Sequence, residues 1–150
     1  MSTGPTTAPA EVSTTVTLDL THPADDVWEL IGGFGSLPDW LPYITESLLD
    51  RGGRLRTLTN ADGDVIVERL ETYDAAARSY GYSIAQAPFP VTGYRSTLRV
   101  VDRGDGGSRV EWSGAFTPRG VTDDEAIALF EGIYRDGLAA LADTLARPRA

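Results

Sequence analysis

The residues best suited to acid–base chemistry are Glu68 and Arg56, on two neighbouring predicted strands. Along the strand predicted over 64–73, side chains alternate between two faces. One face carries Ile66, Glu68 and Leu70, and the other carries Val67, Arg69 and Glu71. The first face has two aliphatic residues and one charge, so we predict that it points into the protein. This places Glu68 in the interior.

The turn between the two strands decides which residue lies opposite Glu68. If residues 60–63 (Asn-Ala-Asp-Gly) form a type I turn followed by a glycine bulge, Arg56 pairs with Glu68 and Leu58 pairs with Ile66. If only Asp-Gly forms a tight two-residue turn, Arg56 falls opposite Arg69, which is an unfavourable like-charge pair. We therefore predict the first register, with an Arg56–Glu68 pair on the interior face.

Such a pair has two interpretations, which the sequence leaves open. A structural salt bridge would only hold the hairpin together, because a buried carboxylate is costly unless it is paired. In a catalytic pair, Glu68 would transfer a proton and Arg56 would bind a carbonyl or enolate oxygen. Removal of an α proton from a ketone needs this combination. Pairing with an Arg is expected to lower the pKa of the carboxyl.

Aromatic and hydroxyl side chains fall on the same interior faces of the later strands and of the last helix. The predicted ligand-contacting residues are Trp40, Tyr43, Tyr80, Tyr82, Tyr94, Ser96, Trp112, Phe130 and Tyr134. Aromatic residues at such positions most often fill a core. The tyrosine hydroxyls also need hydrogen-bonding partners, however, and a small hydrophobic or aromatic molecule bearing oxygen atoms would supply them.

Two loops are candidates for covering a ligand pocket. Trp40, Leu41 and Tyr43 lie beside two prolines and are predicted to form a lid, with a simple hydrophobic plug as the alternative. The loop over 87–90 presents Phe89 between two prolines, either as a second gate or as a plain strand connection.

One sheet and a few helices must position these side chains. Alternation predicts a first strand over 12–20, and further strands are predicted over 45–50, 54–59, 64–73, 78–85, 92–102 and 108–117. Short connections rich in Gly, Asp and Pro indicate an antiparallel meander. Two short helices are predicted after the first strand. One has Pro23 as its first residue and is ended by Gly32, Gly33 and Gly35. The other is capped by Ser36 with Asp39 and runs through Trp40.

The last predicted helix runs from Thr122 to Leu145. Thr122 and Glu125 have the spacing of a capping box. The apolar stripe consists of Ala126, Phe130, Ile133, Tyr134, Gly137, Leu138, Leu141 and Leu145. Gly132 and Gly137 each cost about 1 kcal/mol of helix stability, which indicates close packing on the sheet or space for a ligand. A long helix of this kind must bury its apolar face, so we predict an α+β fold in which a curved antiparallel sheet wraps around it.

The composition indicates one globular domain. The chain has 150 residues, of which 41% are hydrophobic and 23% are charged. We predict a disordered leader over 1–10, a single ligand-pocket domain over 11–146 and a tail over 147–150. The leader is rich in Ser, Thr, Pro and Ala and lacks an apolar core, so we do not expect a signal peptide. We expect a cytoplasmic location.

Charge and residue usage exclude several classes of partner. The net charge is −9 and no stretch collects basic residues, which argues against nucleic acids and anionic membranes as partners. The chain has no Cys and only one His, His22, so we expect neither a metal site nor a cofactor. The oligomeric state is left open between monomer and homodimer.

A set of segments carries a family likeness. They are PADDVWELI (23–31), FGSLPDWLP (34–42), VERLE (67–71), YRSTL (94–98), WSG (112–114) and GIYRDGL (132–138). In these segments the chain resembles the START/SRPBCC helix-grip superfamily, in particular its bacterial polyketide cyclase/dehydratase branch. The resemblance implies a seven-stranded antiparallel sheet around the C-terminal helix, with an internal cavity between them. Many relatives carry His where this chain has Leu41, so a mechanism using that imidazole is not expected here.

The resemblance and the residues together suggest a function. We expect a cofactor-independent cyclase or dehydratase that acts on a small aromatic or polyketide-type substrate, with Glu68 and Arg56 as its catalytic residues and Tyr82 or Tyr94 orienting the substrate. A non-catalytic carrier of a small hydrophobic ligand is the alternative, because this fold hosts carriers, sensors and enzymes. A sensing subunit that needs a protein partner has no support in the surface pattern.

Overall fold

The computed structural model describes residues 10–147 and shows an α+β fold with the predicted order of elements. Strand β1 (Val12–Leu20) precedes helices α1 (Ala24–Ile31) and α2 (Leu37–Trp40). The later strands are β2 (Ile44–Asp50), β3 (Leu55–Asn60), β4 (Val65–Asp74), β5 (Ser79–Gln86), β6 (Val91–Asp102) and β7 (Ser108–Pro118), and the last element is α3 (Asp123–Ala146). A short 3-10 turn, Arg51–Gly53, joins β2 to β3. Of the predicted leader and tail, all but Ala10 and Arg147 lie outside the described residues.

The strands form one antiparallel, seven-stranded sheet in the order β1-β7-β6-β5-β4-β3-β2. Strands β2 to β7 pair consecutively, as expected for a meander, and β1 returns to pair with β7. The register shifts in β4 between Leu70 and Thr72 and in β6 between Thr92 and Arg95. Such irregularities bend strands and increase their twist. The predicted helix-grip architecture is therefore confirmed, and the strand limits differ from the predicted ones by at most one residue.

The hairpin between β3 and β4 has the predicted register. Arg56 pairs with Glu68, and Leu58 pairs with Ile66. All four side chains are buried. The face of β4 that carries Glu68 therefore points into the protein, as the alternation predicts.

The turn of this hairpin explains its register. The Gly63 N–H donates to the Asn60 carbonyl at 3.0 Å, and Gly63 has a φ of 87°, which is the left-handed region that glycine favours. The Asn60 side-chain oxygen also accepts hydrogen bonds from the N–H groups of Asp62 and Asp64, at 3.0 and 2.9 Å. The wider turn is therefore held by both backbone and side chain.

Helix α3 begins at a complete capping box. The Thr122 hydroxyl accepts from the N–H of Glu125 at 3.1 Å, and the Glu125 carboxylate accepts from the N–H of Thr122 at 3.2 Å. The helix packs mainly against β1 and β7. Its buried residues are Ala126, Phe130, Tyr134, Gly137, Leu138 and Leu141.

The two glycines of α3 have different surroundings. A Cβ on Gly137 would lie 2.5 Å from Cζ3 of Trp112 and 3.1 Å from Cδ2 of Leu41. A Cβ on Gly132 would meet no atom of the described residues within 4 Å. Close packing on the sheet therefore explains Gly137, whereas no contact explains Gly132.

The short helices differ from the prediction in two details. Pro23 is the N-cap of α1 rather than its first helical residue, since its ψ of 147° is extended. The Ser36 hydroxyl donates to the Gly33 carbonyl at 2.7 Å and does not cap α2. The predicted hydroxyl cap on α2 is therefore wrong, because a nearer carbonyl takes the Ser36 proton.

Candidate functional site

An Arg–Glu ion pair lies in the interior, on the concave face of the sheet. Nε and Nη2 of Arg56 lie 2.8 and 2.7 Å from Oε1 of Glu68. Arg56 is 1% exposed and Glu68 is 6% exposed. Both nitrogens contact the same oxygen, and no residue of 10–147 donates a hydrogen bond to Oε2. The pair is thus enclosed, with one carboxylate oxygen not engaged by the described protein.

Aromatic rings and a backbone carbonyl hold the Arg56 guanidinium in place. Nη1 donates to the Phe34 carbonyl at 3.0 Å and to the Tyr80 hydroxyl at 3.3 Å. Cζ lies 4.1 Å from the centre of the Phe34 ring and 4.7 Å from that of Tyr82, close enough for cation–π attraction. Phe34 was not among the predicted site residues, because its helical spacing from Leu30 and Ile31 indicates only core packing.

Burial dominates the ionisation of the Glu68 carboxyl. It raises the pKa of Glu68, while the Arg56 guanidinium acts in the opposite direction. Pairing alone predicts a lowered pKa, so that expectation is corrected here because desolvation outweighs the attraction. A carboxylate with a raised pKa is a stronger base than an exposed glutamate, which suits proton transfer nearer to neutral pH.

The Arg56 guanidinium remains charged in this environment. Burial by itself would lower the pKa of Arg56, but Tyr80, Glu68 and Tyr82 together raise it above its ordinary value. The site therefore keeps a fixed positive charge beside a carboxyl that can titrate.

A second polar group lies beside the ion pair, on β5, β6 and β7. The Trp112 Nε1–H donates to the Tyr82 hydroxyl and to the Ser96 hydroxyl, at 3.2 Å in both cases. The Ser96 hydroxyl donates in turn to the carbonyl of Ser113 at 2.7 Å. The register brings them together, since Tyr82 pairs with Ser96 and Trp112 is two residues along β7 from Gly114, the partner of Ser96.

The Tyr94 and Tyr134 hydroxyls hydrogen-bond to each other and link the sheet to α3. Burial raises the pKa of Tyr134 to about 12 and that of Tyr94 well above its ordinary value. Burial, with the Glu68 charge, does the same to Tyr82. All three hydroxyls are therefore protonated near pH 7 and can donate hydrogen bonds, but they do not act as bases.

Phe130 is the centre of an aromatic cluster at the α3 side. Its ring centre lies 4.8 Å from that of Tyr94, 4.6 Å from that of Phe116 and 5.3 Å from that of Phe89. The loop that carries Phe89 is thus seated on the interior, as the gate interpretation requires. A plain strand connection that packs well would have the same contacts.

The predicted lid divides into two parts. Trp40 is fully buried, and its ring centre lies 5.7 Å from that of Trp112. Tyr43 is 52% exposed, and its hydroxyl donates to the Asp62 carboxylate at 2.5 Å on the outer surface. Of the predicted site residues, the structure brings all but Tyr43 into one interior cluster.

Side chains of α3 contact those of the sheet, as the Phe130 ring does with those of Tyr94 and Phe116. A surface crevice of about 470 Å³ lies between α1 and the end of α3, lined by His22, Asp26, Glu29, Leu30, Thr144, Leu145 and Arg147. A smaller one of about 100 Å³ lies beside the start of α1. Neither is lined by Arg56 or Glu68.

Metal-binding side chains are not clustered in the described part of the chain. No group of three or more His, Cys, Asp or Glu residues within 10–147 could hold a metal ion. His22 lies at the larger crevice rather than at the ion pair.

The sequence was compared with those of known protein families. The sequence profile described as "Polyketide cyclase / dehydrase and lipid transport" matches residues 9–146. The chain belongs to this family. None of the curated proteins matches its sequence. No helix within residues 10–147 of this polyketide cyclase/dehydrase family member is long and apolar enough to cross a membrane.

Solved structures of similar proteins show the same fold. An uncharacterised protein from Bacillus thuringiensis is 54% identical with a TM-score of 0.85, and the match covers 87% of this chain and 96% of that one. The protein XoxI from Bacillus cereus is 56% identical with a TM-score of 0.84, covering 86% and 92%. The Zhui aromatase/cyclase from Streptomyces sp. R1128 is 20% identical with a TM-score of 0.73, covering 94% and 98%, and shows the fold alone. The helix-grip resemblance is thereby confirmed.

Proposed function

We propose that this protein is a cofactor-independent cyclase or dehydratase that acts on a small aromatic or polyketide-type molecule. The observation that carries the proposal is the enclosed Arg56–Glu68 pair, in which Oε2 of Glu68 is left without a donor among the described residues. The family description, which names polyketide cyclases and dehydrases, supports this class of substrate.

The first chemical step is removal of an α proton by Oε2 of Glu68. The C–H electron pair moves into the enolate double bond, and negative charge builds on the carbonyl oxygen. A guanidinium has five N–H donors. The Nε–H and one N–H of Nη2 are directed at Glu68, and the two N–H groups of Nη1 are directed at Phe34 and Tyr80. The second N–H of Nη2 therefore remains for the carbonyl oxygen of the substrate. The surrounding rings exclude water from the charged intermediate.

The second step returns the proton. In a cyclisation, the enolate carbon attacks another carbonyl of the substrate, a C–C bond forms, and the new alkoxide takes the proton from Glu68. In a dehydration, the β-hydroxyl leaves as water with that proton. Both outcomes need a carboxyl that accepts and then donates a proton, which agrees with the raised pKa of Glu68.

Glu68→Gln tests the proposal because it keeps the shape and removes the base. The assay is deuterium exchange at the methyl group of acetophenone, followed by proton NMR. We expect the protein-catalysed rate to fall about 100-fold or more while acetophenone binding is retained. Glu71→Gln is the matched control, since Glu71 lies on the same strand but is exposed. An unchanged exchange rate in Glu68→Gln would remove Glu68 from the mechanism.

A non-catalytic carrier of a small hydrophobic ligand is the second candidate. One observation favours it: nearly all donors of Arg56 are already engaged by Glu68, Phe34 and Tyr80, as in a purely structural bridge. The family description also includes lipid transport. Mass spectrometry of a co-purifying molecule, together with wild-type protein that binds acetophenone without exchanging its protons, would favour the carrier.

A further inference from the structure

The donors and acceptors in the hydrogen bonds of Ser96 and Trp112 can be assigned. The shortest polar contact of the Ser96 hydroxyl is to the Ser113 carbonyl at 2.7 Å, so the single Ser96 proton lies on that bond. An indole N–H only donates, so the Trp112 N–H is shared between the oxygens of Ser96 and Tyr82. The polar atoms of Ser96 and Trp112 are thus engaged within the protein. A polar contact from these atoms to a ligand, as predicted from the sequence, would require them to be free.

This assignment bears on the Tyr82 proton. The Tyr82 oxygen accepts from Trp112, and the Ser96 hydroxyl, which already accepts from Trp112, is the neighbouring side chain that can compete for the Tyr82 proton. In the sheet, Tyr82 pairs with Leu70, two residues from Glu68 on the same interior face. The Tyr82 ring also lies 4.7 Å from Cζ of Arg56. The Tyr82 hydroxyl is therefore next to the ion pair.

We propose that Trp112 is a positioning residue which, held by Ser96, turns the Tyr82 hydroxyl proton toward the substrate oxygen at the Arg56–Glu68 pair. This inference rests on the proposed function, because it assigns Tyr82 as the second donor to the developing enolate oxygen. Tyr82 contacts the substrate, whereas Trp112 acts only through it.

The surroundings of Trp112 suit this role. Its ring stacks on Tyr134 at 4.8 Å and 25° and packs against Trp40 at 5.7 Å. The absence of a side chain at Gly137 leaves the space that the Trp112 ring fills on the helix side. A ring held from several sides keeps its N–H in one direction, which a positioning group requires.

The first test needs neither substrate nor turnover. Tyrosines are labelled with ¹³C at Cζ, and the Tyr82 resonance is assigned by its loss in Tyr82→Phe. Trp112→Phe keeps an aromatic ring and removes the N–H, and we expect it to shift the Tyr82 resonance. Trp28→Phe is the matched control, because the aromatic rings that Trp28 contacts are those of Tyr73 and Tyr80 and not that of Trp112. An unmoved Tyr82 resonance in Trp112→Phe, or an equal shift in Trp28→Phe, would overturn the proposal.

The second test is a double-mutant cycle on acetophenone exchange. We expect Trp112→Phe to lower the maximal rate about tenfold, with a smaller change in KM. In a Tyr82→Phe background, the same substitution should change the rate less than about twofold, since its target is gone. Independent, multiplying effects would overturn the inference. If wild-type protein catalyses no exchange, the proposed function fails, while the resonance test still decides the orientation of Tyr82.

Discussion

Gly114 is the position at which a single methyl group should be most informative. It lies on β7 opposite Ser96 and faces α3. A Cβ there would overlap the Tyr134 hydroxyl oxygen and lie 3.1 Å from Tyr134 Cζ and 3.4 Å from Tyr94 Cε2. Gly114→Ala must therefore push Tyr134 aside and break its hydrogen bond with Tyr94.

The expected loss of stability follows from these contacts. Leaving a buried hydroxyl without its partner costs about 1–3 kcal/mol, and forcing extra volume into a packed core costs about 1–3 kcal/mol. Replacing a glycine within a strand returns about 0.5–1 kcal/mol. We therefore expect Gly114→Ala to lower the free energy of unfolding by about 1–5 kcal/mol. Adding Tyr134→Phe removes the overlapping oxygen and should restore about 1–2 kcal/mol.

Urea unfolding followed by tryptophan fluorescence measures both effects, as shifts in midpoint at a constant slope. Tyr134→Phe should destabilise the wild type and stabilise Gly114→Ala, so the sign reverses between backgrounds. Gly132→Ala is the control, since a Cβ there meets no atom of the described residues and should stabilise α3 by up to about 1 kcal/mol. A neutral Gly114→Ala, or the same loss from Tyr134→Phe in both backgrounds, would refute the reasoning.

Three further outcomes are expected. Gly137→Ala should lower the free energy of unfolding by about 1–3 kcal/mol in the same assay, because its Cβ would lie 2.5 Å from the Trp112 ring; stabilisation would contradict this packing. Thr122→Ala should lower it by about 1 kcal/mol through loss of the capping box, an effect that Ser at this position should largely avoid. The raised folded pKa of Glu68 favours its protonated form, so its contribution to stability is fully present below the unfolded pKa and is lost as pH rises through the folded pKa. The difference in unfolding free energy between wild type and Glu68→Gln should therefore fall from pH 4 to pH 8, and a flat difference would contradict the shift.

The Arg56–Glu68 contact was predictable because its determinants are close together in the sequence. Strand alternation selects the interior face of β4, and the turn from Asn60 to Gly63 selects the partner strand register. Both the strand alternation and the turn lie within a single hairpin. Local rules of this kind reach as far as the next strand.

The surroundings of the pair were not predictable in this way. The Phe34 carbonyl that accepts from Arg56 is a backbone atom, which every residue has, and it lies 22 positions from its donor. Trp40 is the last residue of α2 and Tyr43 lies in the loop that follows, yet Trp40 is buried and Tyr43 is half exposed. A helix of four residues and a loop are too short to reveal by periodicity which side a residue faces. Long-range packing decides both cases.

In the ion pair, Nε and Nη2 of Arg56 both contact a single oxygen of Glu68, and this geometry helps to distinguish a structural role from a catalytic one. A bridge that only held β3 against β4 would gain most from two parallel bonds, one to each carboxylate oxygen. Here both Arg56 nitrogens contact Oε1, and the pKa of Glu68 is raised despite the neighbouring guanidinium. Desolvation thus outweighs attraction, and buried pairs of this kind can often be replaced by apolar residues without loss of stability. Stability is therefore a weak explanation for the presence of this pair, which supports the proposed role of Oε2 in proton transfer.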